Sequence, residues 1–244
     1  MQYDNFTTFK VRIEDAIAWV TFDYPQVNIQ GLPMLADLDM LAQKLEADRN
    51  VKVVVFQSAN PDIFVAHADT NFLKDMSGTA VSRDEVKLLD LQRVLERISR
   101  LPQATIAKIE GFARGGGHEF ALACDMRFAA RGKATFMQME VAMGILPCGG
   151  GASRMARQVG LGRALEITLS ARDWDADEAE RVGIWTRQRL APTSRNWPSV
   201  LHNGLPPPST RPSKLSTSRS TSPLKTRSSR KPIGSTKRPA KHRH

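Results

Sequence analysis

Gly115-Gly116-Gly117 follows a stretch that reads as a strand and opens one that reads as a helix, with Glu119 two residues beyond the last glycine. Glycine lets another group approach the backbone closely. The first turn of a helix offers N–H groups without helical acceptors and a partial positive charge. Together these suit an anion, or an oxygen that gains negative charge during a reaction. A tight strand-to-helix turn would use the same residues. No Gly-Lys-Ser/Thr follows, and the Gly-x-Gly-x-x-Gly dinucleotide pattern is not matched. Glu140 lies 21 residues after Glu119, in Phe136-Met-Gln-Met-Glu-Val-Ala-Met143. A carboxylate in so apolar a run belongs either at a rim or in a functional pocket. Two carboxylates in one cleft can divide acid and base work, because their repulsion separates their pKa values. Taken singly, each also fits a solvated or capping position. His67 and His118 match no metal spacing and read as structural. Ser153 lacks a Gly-x-Ser-x-Gly context.

These residues need a frame to position them. Phe9–Glu14 alternates apolar and charged residues, Ile17–Phe22 is β-branched and aromatic, and Asp15-Ala16 joins them as a hairpin. Apolar residues at 34, 35, 38, 41 and 45 predict a helix over 32–49. Val51–Gln57 reads as a buried parallel strand. A second helix is predicted over 86–101, stopped by Pro102, and a strand over 105–109 that runs into the triple glycine. Helical character resumes at 118–124, with short strands at 126–129 and 134–136. Two helices follow at 161–170 and 175–181, with Asp173 or Asp175 as possible caps. Strands alternating with helices give an α/β class with crossover connections.

Composition divides the 244 residues near position 182. Residues 1–180 carry 20 Lys and Arg against all 25 Asp and Glu, a net −5. Residues 181–244 carry 15 Lys and Arg and no acid, a net +15, with 9 of the 14 prolines. The overall +10 therefore belongs to the C-terminal segment. A domain over 1–184 and a basic Ser/Pro/Arg-rich tail over 185–244 are expected. A segment so poor in apolar residues cannot offset its ordering entropy, so the tail is expected to be disordered. Three readings of it stand: an idle tail, a tether for phosphates, or an out-of-frame translation. No aromatic residue follows Trp197, so base stacking has no support and nucleic acid is not an expected partner. No apolar run approaches the roughly 20 residues of a membrane helix. Met1–Lys10 is polar and does not read as a secretory signal. Cys124 and Cys148 are too few for a disulfide scaffold and form no zinc-like cluster, so a reducing cytoplasm is the expected compartment.

Five blocks, in order, carry a resemblance: Phe64-Val-Ala-His-Ala-Asp69, Ile109-Glu-Gly-Phe-Ala-Arg-Gly-Gly-Gly-His-Glu119, Cys124-Asp-Met-Arg-Phe128, Phe136-Met-Gln-Met-Glu140, and Gly144-Ile-Leu-Pro147 with Gly149-Gly-Gly151. Over roughly 9–184 the chain resembles the crotonase superfamily of enoyl-CoA hydratases and isomerases. The resemblance implies a spiral of ββα units, usually assembled as homotrimers or as hexamers that are dimers of trimers. It implies an acyl-CoA thioester as substrate and partner. No metal or redox cofactor is needed, and coenzyme A comes as part of the substrate. The oxyanion donors fall on the N–H groups of Ala68 and Gly116, which would stabilise enolate-like charge on the thioester oxygen. The catalytic pair falls on Glu119 and Glu140. Ala66, His67, Asp69, Gly115 and Leu146 fall at substrate- or CoA-binding positions.

Some positions depart from the family pattern. His67 stands where glycine is usual, Met137 and Met139 replace glycine and proline, and one extra residue separates the glutamates. The closing helices of the family give way to the basic tail. Retention of both glutamates favours addition of water across a 2-enoyl-CoA. Double-bond isomerisation or another reaction of the superfamily stays open, as does a catalytically impaired acyl-CoA-fold protein whose tail binds nucleic acid.

Overall fold

A computed structural model describes residues 2–25, 27–71 and 82–188. The tail from 189 onward lies outside the described residues, and so does the expectation of its disorder.

The hairpin forms as its alternation requires. β1 (Phe9–Glu14) and β2 (Ile17–Phe22) pair antiparallel from Phe9–Phe22 to Glu14–Ile17. Asp15 and Ala16 take positive φ of 50° and 59°, the backbone of a two-residue hairpin turn. α1 (Leu32–Ala47) buries Met34, Leu35, Leu38, Leu41 and Leu45, the predicted stripe. β3 (Val53–Ser58) is buried on both faces. Val54 and Phe56 enter the main core, while Val53 and Val55 pack with Ile17 and Ile106 on the other side.

After β3 the chain repeats one device. β3 is followed by β4 (Ile63–Val65), β5 (Ala104–Ile109) by β6 (Phe112–Arg114), and β7 (Met126–Ala130) by β8 (Thr135–Met137). The first strand of each couple joins a six-stranded sheet of order β1-β2-β3-β5-β7-β10. The second joins a four-stranded sheet of order β4-β6-β8-β9. Pairing within each series is parallel, so every turn of the chain advances both sheets by one strand. This is the spiral of ββα units, with α2 (Asp90–Ser99) after the first couple and α3 (Gly116–Ala123) after the second. A short 3-10 helix, Glu140–Met143, follows β8. α4 (Gly151–Val159), α5 (Leu161–Ser170), β9 (Trp174–Asp175) and α6 (Ala176–Arg181) come next.

Two expectations are corrected in detail and one choice is decided. α2 starts at Asp90 rather than 86, because the Gln92 side chain caps the Leu89 N–H at 2.9 Å and fixes the entry there. Of the two candidate caps for α6, Asp175 takes the role, accepting the Glu178 N–H at 2.7 Å, while Asp173 binds Arg114. The fold also runs past 184. Trp185 is buried, β10 (Thr186–Gln188) pairs parallel with β7, and Arg127 Nε donates to the Ile184 carbonyl at 2.9 Å. The segment opens on core residues before its composition turns basic.

One part of the core sets the positions that matter below. The rings of Phe22, Phe56, Phe64 and Phe120 pack together, with Phe120 edge-on to Phe56 at 5.0 Å and to Phe22 at 5.4 Å. Phe120 follows Glu119 on α3, and Phe64 lies on β4 just ahead of the Ala66–Asp69 loop. Aromatic burial thus holds the glycine turn and that loop against one another.

Candidate active site

The Ala66–Asp69 loop is fixed by its backbone. Ala66 N–H donates to the Val27 carbonyl at 3.1 Å. The Gln30 N–H donates to the His67 carbonyl and the Asp69 N–H to the Gln30 carbonyl, both at 3.0 Å. The peptides on either side of the Ala68 N–H are therefore clamped. His67 Nδ1 lies 2.7 Å from the Ala68 carbonyl oxygen, so the imidazole donates there, and its ring turns to its own loop. Asp69 Oδ1 accepts from the backbone and side-chain nitrogens of Asn71.

Gly116 is the first residue of α3, and its N–H precedes the helical ladder, which begins with Glu119 N–H to Gly115 C=O at 2.9 Å. A methyl carbon added to Gly116 would sit 2.9 Å from Ala68 N and 2.8 Å from Ala68 Cβ. Only glycine permits this approach. The two expected oxyanion donors are thus brought side by side from sequence positions 48 apart. Gln30 closes in behind them: it is fully buried, and neither atom of its amide has a partner among the described residues.

Glu119 is 2% exposed and Glu140 8%. Glu119 Oε1 accepts the Gly151 N–H at 2.8 Å, at the N-terminus of α4, where the helix favours negative charge. Gly149 is required here too, since a methyl carbon on it would lie 2.5 Å from Glu119 Oε2. Glu140 Oε1 accepts from Gln138 Nε2 at 2.9 Å, while its Oε2 is buried without a partner among the described residues. A methyl carbon on Gly151 would lie 2.9 Å from Glu119 Oε1 and 3.1 Å from Gln138 Nε2. The two carboxylates are therefore neighbours across one carboxamide. Gly115 lies beside them, with an added methyl carbon 3.2 Å from Glu140 Oε1 and 3.5 Å from Met139 Cγ.

Burial governs the charges. Burial first, and the Glu140 charge second, push Glu119 up to about 7, against the opposing pull of the Gly151 and Gly149 N–H groups and Arg154. Burial also raises Glu140, against the pull of its own backbone N–H and, less, of the Gln138 amide. The repulsion falls on Glu119, the deeper of the two, and favours its protonated form. Burial pushes the Cys148 thiol up as well, helped by both carboxylates.

Of the expected binding positions, Ala66, His67, Asp69 and Gly115 lie in the two segments just described. Leu146 is 73% exposed, in the loop that leads to Cys148. Sequence reasoning missed Gln138, Cys148 and the part played by Gly149 and Gly151. A signal existed for Gln138: it is the one amide in an apolar run, two residues before Glu140, and a buried amide needs a polar partner. Among the described residues no helix is long and apolar enough to cross a membrane.

Known proteins share the fold of this chain. Residues 12–191 match the family model described as enoyl-CoA hydratase/isomerase. A short-chain-enoyl-CoA hydratase of Clostridium acetobutylicum is 36% identical over 172 residues, 70% of this chain and 64% of the relative. A human mitochondrial methylglutaconyl-CoA hydratase is 39% identical over 147 residues, 60% of this chain and 42% of the relative. The chain therefore spans less than two thirds of either relative. A crystal structure of a Streptomyces avermitilis protein matches with a TM-score of 0.74 and 37% identity, covering 83% of this chain and 76% of that one. An enoyl-CoA hydratase structure from Bacillus anthracis matches with a TM-score of 0.66 and 29% identity, covering 74% and 69%. A spiral of ββα units, a glycine-opened helix beside the Ala68 loop and a match over 12–191 lead to one assignment: the chain belongs to the enoyl-CoA hydratase/isomerase family.

Proposed function

We propose that the protein adds water across the double bond of a 2-enoyl-CoA thioester. The observation that carries this reading is the buried pair Glu119 and Glu140, neighbours across the Gln138 carboxamide, beside a pair of close backbone N–H groups. The Ala68 and Gly116 N–H groups receive the thioester oxygen. As negative charge grows there, these fixed donors stabilise it without reorganising. Water sits between the carboxylates. The ionised carboxylate takes a proton from it as its oxygen bonds to Cβ, and the protonated one delivers a proton to Cα. The double bond becomes a single bond, and the pair ends with one proton, as it began. The chemistry uses no metal or redox cofactor, and coenzyme A enters as part of the substrate. Ala66, His67, Asp69, Gly115 and the exposed Leu146 line the approach of the acyl-CoA. A cytoplasmic location and a homotrimer or hexamer go with this reading, as does a division into an acyl-CoA domain and a basic tail.

The retained pair favours hydration over isomerisation, because water addition needs a group to activate water as well as one to protonate carbon. The test is steady-state kinetics on a crotonyl-type thioester. Glu119→Gln and Glu140→Gln should each lower kcat by about 10²-fold or more, the range for lost acid/base catalysis. Unchanged turnover in either variant would remove that residue from the mechanism.

A further inference from the structure

Glu119 is held by backbone N–H groups, whose direction is fixed. For Glu140 the holding group is a carboxamide, which could in principle turn over and present oxygen in place of nitrogen. His118 prevents this. Its Nδ1 lies 2.8 Å from Gln138 Oε1. A carboxamide oxygen can only accept, so Nδ1 carries the hydrogen and Nε2 is bare. The ring is fully buried, stacked on Phe136 with centroids 4.2 Å apart and edge-on to Trp185 at 5.9 Å. Nε2 has no partner among the described residues, so a second proton there would be a buried, unpaired charge. Burial, with Arg127 acting in the same sense, drives the imidazole down to about 3, and it stays neutral over the whole working range. The reverse orientation would set the Gln138 oxygen against the Glu140 carboxylate and leave a hydrogen orphaned on His118 Nε2. The relay therefore runs one way, from His118 Nδ1–H to Gln138 and from Gln138 Nε2–H to Glu140 Oε1.

Resting on the hydration reading above, we propose that His118 and Gln138 are positioning residues that anchor Glu140 by Oε1 and leave Oε2 as the oxygen that carries its transferable proton. His118 immediately precedes Glu119 on α3. One helical turn thus aims both members of the pair, directly at Glu119 and through Gln138 at Glu140. The titratable and charged groups facing this system are Glu119 from α3, Cys148 from the loop before α4, Arg154 from α4 facing Glu119, and Arg127 from β7 facing His118.

The test is kcat and KM against pH on a 2-enoyl-CoA thioester, for Gln138→Leu, His118→Phe and His118→Asn, with Glu140→Gln as the reference. Gln138→Leu removes the donor to the ionised carboxylate. It should raise the acidic limb of the kcat profile by about 0.5–1 pH unit and lower kcat about tenfold, with KM within about twofold. His118→Phe keeps the aromatic stack and frees the amide, so it should move kcat and the limb in the same directions. His118→Asn places a side-chain N–H where Nδ1 stood and should recover most of the loss. If Gln138→Leu does not fold, the Phe and Asn variants decide between them. Wild-type kcat and an unmoved limb in Gln138→Leu and His118→Phe, with Glu140→Gln inactive, would overturn the relay and leave the hydration reading intact. Equal losses in the Phe and Asn variants with an unmoved limb would also overturn it, as a packing effect. Full activity in Glu140→Gln would overturn both.

Discussion

In the proposed mechanism Glu119 makes the site reactive at a cost in stability, and Glu119→Gln should expose that cost. The folded protein holds this carboxyl at about 7 against an ordinary 4.5, chiefly through burial. A raised folded pKa means the protonated form suits the fold better than the ionised one. Stability from this group is therefore complete below pH 4.5 and is lost progressively as pH rises to about 7. At about 1.4 kcal/mol per pH unit, the loss above pH 7 is about 3 kcal/mol. Gln carries no charge, occupies nearly the same space and can still accept the Gly151 N–H. The variant should match the wild type near pH 4 and exceed it by about 2–3 kcal/mol at pH 8, or several degrees in Tm for a chain of this size. Urea unfolding at both pH values, followed by circular dichroism, measures the difference. Activity should fall in the same variant. A stability difference independent of pH, or a variant less stable at pH 8, would refute the claim that burial sets the state of Glu119.

Two further substitutions follow from close contacts. Gly116→Ala would place a methyl group 2.9 Å from Ala68 N, in the space between the two donors, and should lower kcat by about 10²–10³-fold, as loss of an oxyanion donor does elsewhere, and lower stability by about 1–3 kcal/mol because the clash is with backbone. Kinetics beside a thermal melt checks this, and wild-type turnover would show that the thioester oxygen binds elsewhere. Gln30→Leu replaces a buried amide that has no partners among the described residues by an apolar group of similar size, and should stabilise the fold by about 1–2 kcal/mol. A shift of the urea midpoint in the destabilising direction would mean that Gln30 has a partner, such as bound substrate or water.

Legibility in the sequence followed hydrophobic period. α1, β2, β3, β5 and α5 bury a regular stripe or a near-continuous apolar run, so their residues announce them, whereas β1 buries only Phe9 and β7 only Ala129. β4 and β6 are three residues long and pair only with distant strands, so they leave no local signal. α4 buries only Gly151 and Met155 along its length, and a helix with so little to bury shows no stripe. The glutamates and the glycine turn were legible as chemistry because carboxylates in apolar runs and triple glycines are costly without a use. The Ala68 loop was reached only through resemblance, because backbone N–H groups leave no trace in side-chain identity. His118 was read as structural, and its buried stacking agrees, but its Nδ1 also faces Gln138, a contact between residues 20 apart that spacing does not reveal.

The most direct test of the central claim follows the atoms of water. A 2-enoyl-CoA thioester would be incubated with the protein in deuterium oxide enriched in oxygen-18, and the product analysed by mass spectrometry. Hydration by Glu119 and Glu140 predicts one labelled oxygen at Cβ and one deuteron at Cα, with both labels lost in the Glu119→Gln and Glu140→Gln variants. A product that gains deuterium but no labelled oxygen would mean that the pair moves protons without adding water, and would contradict the account.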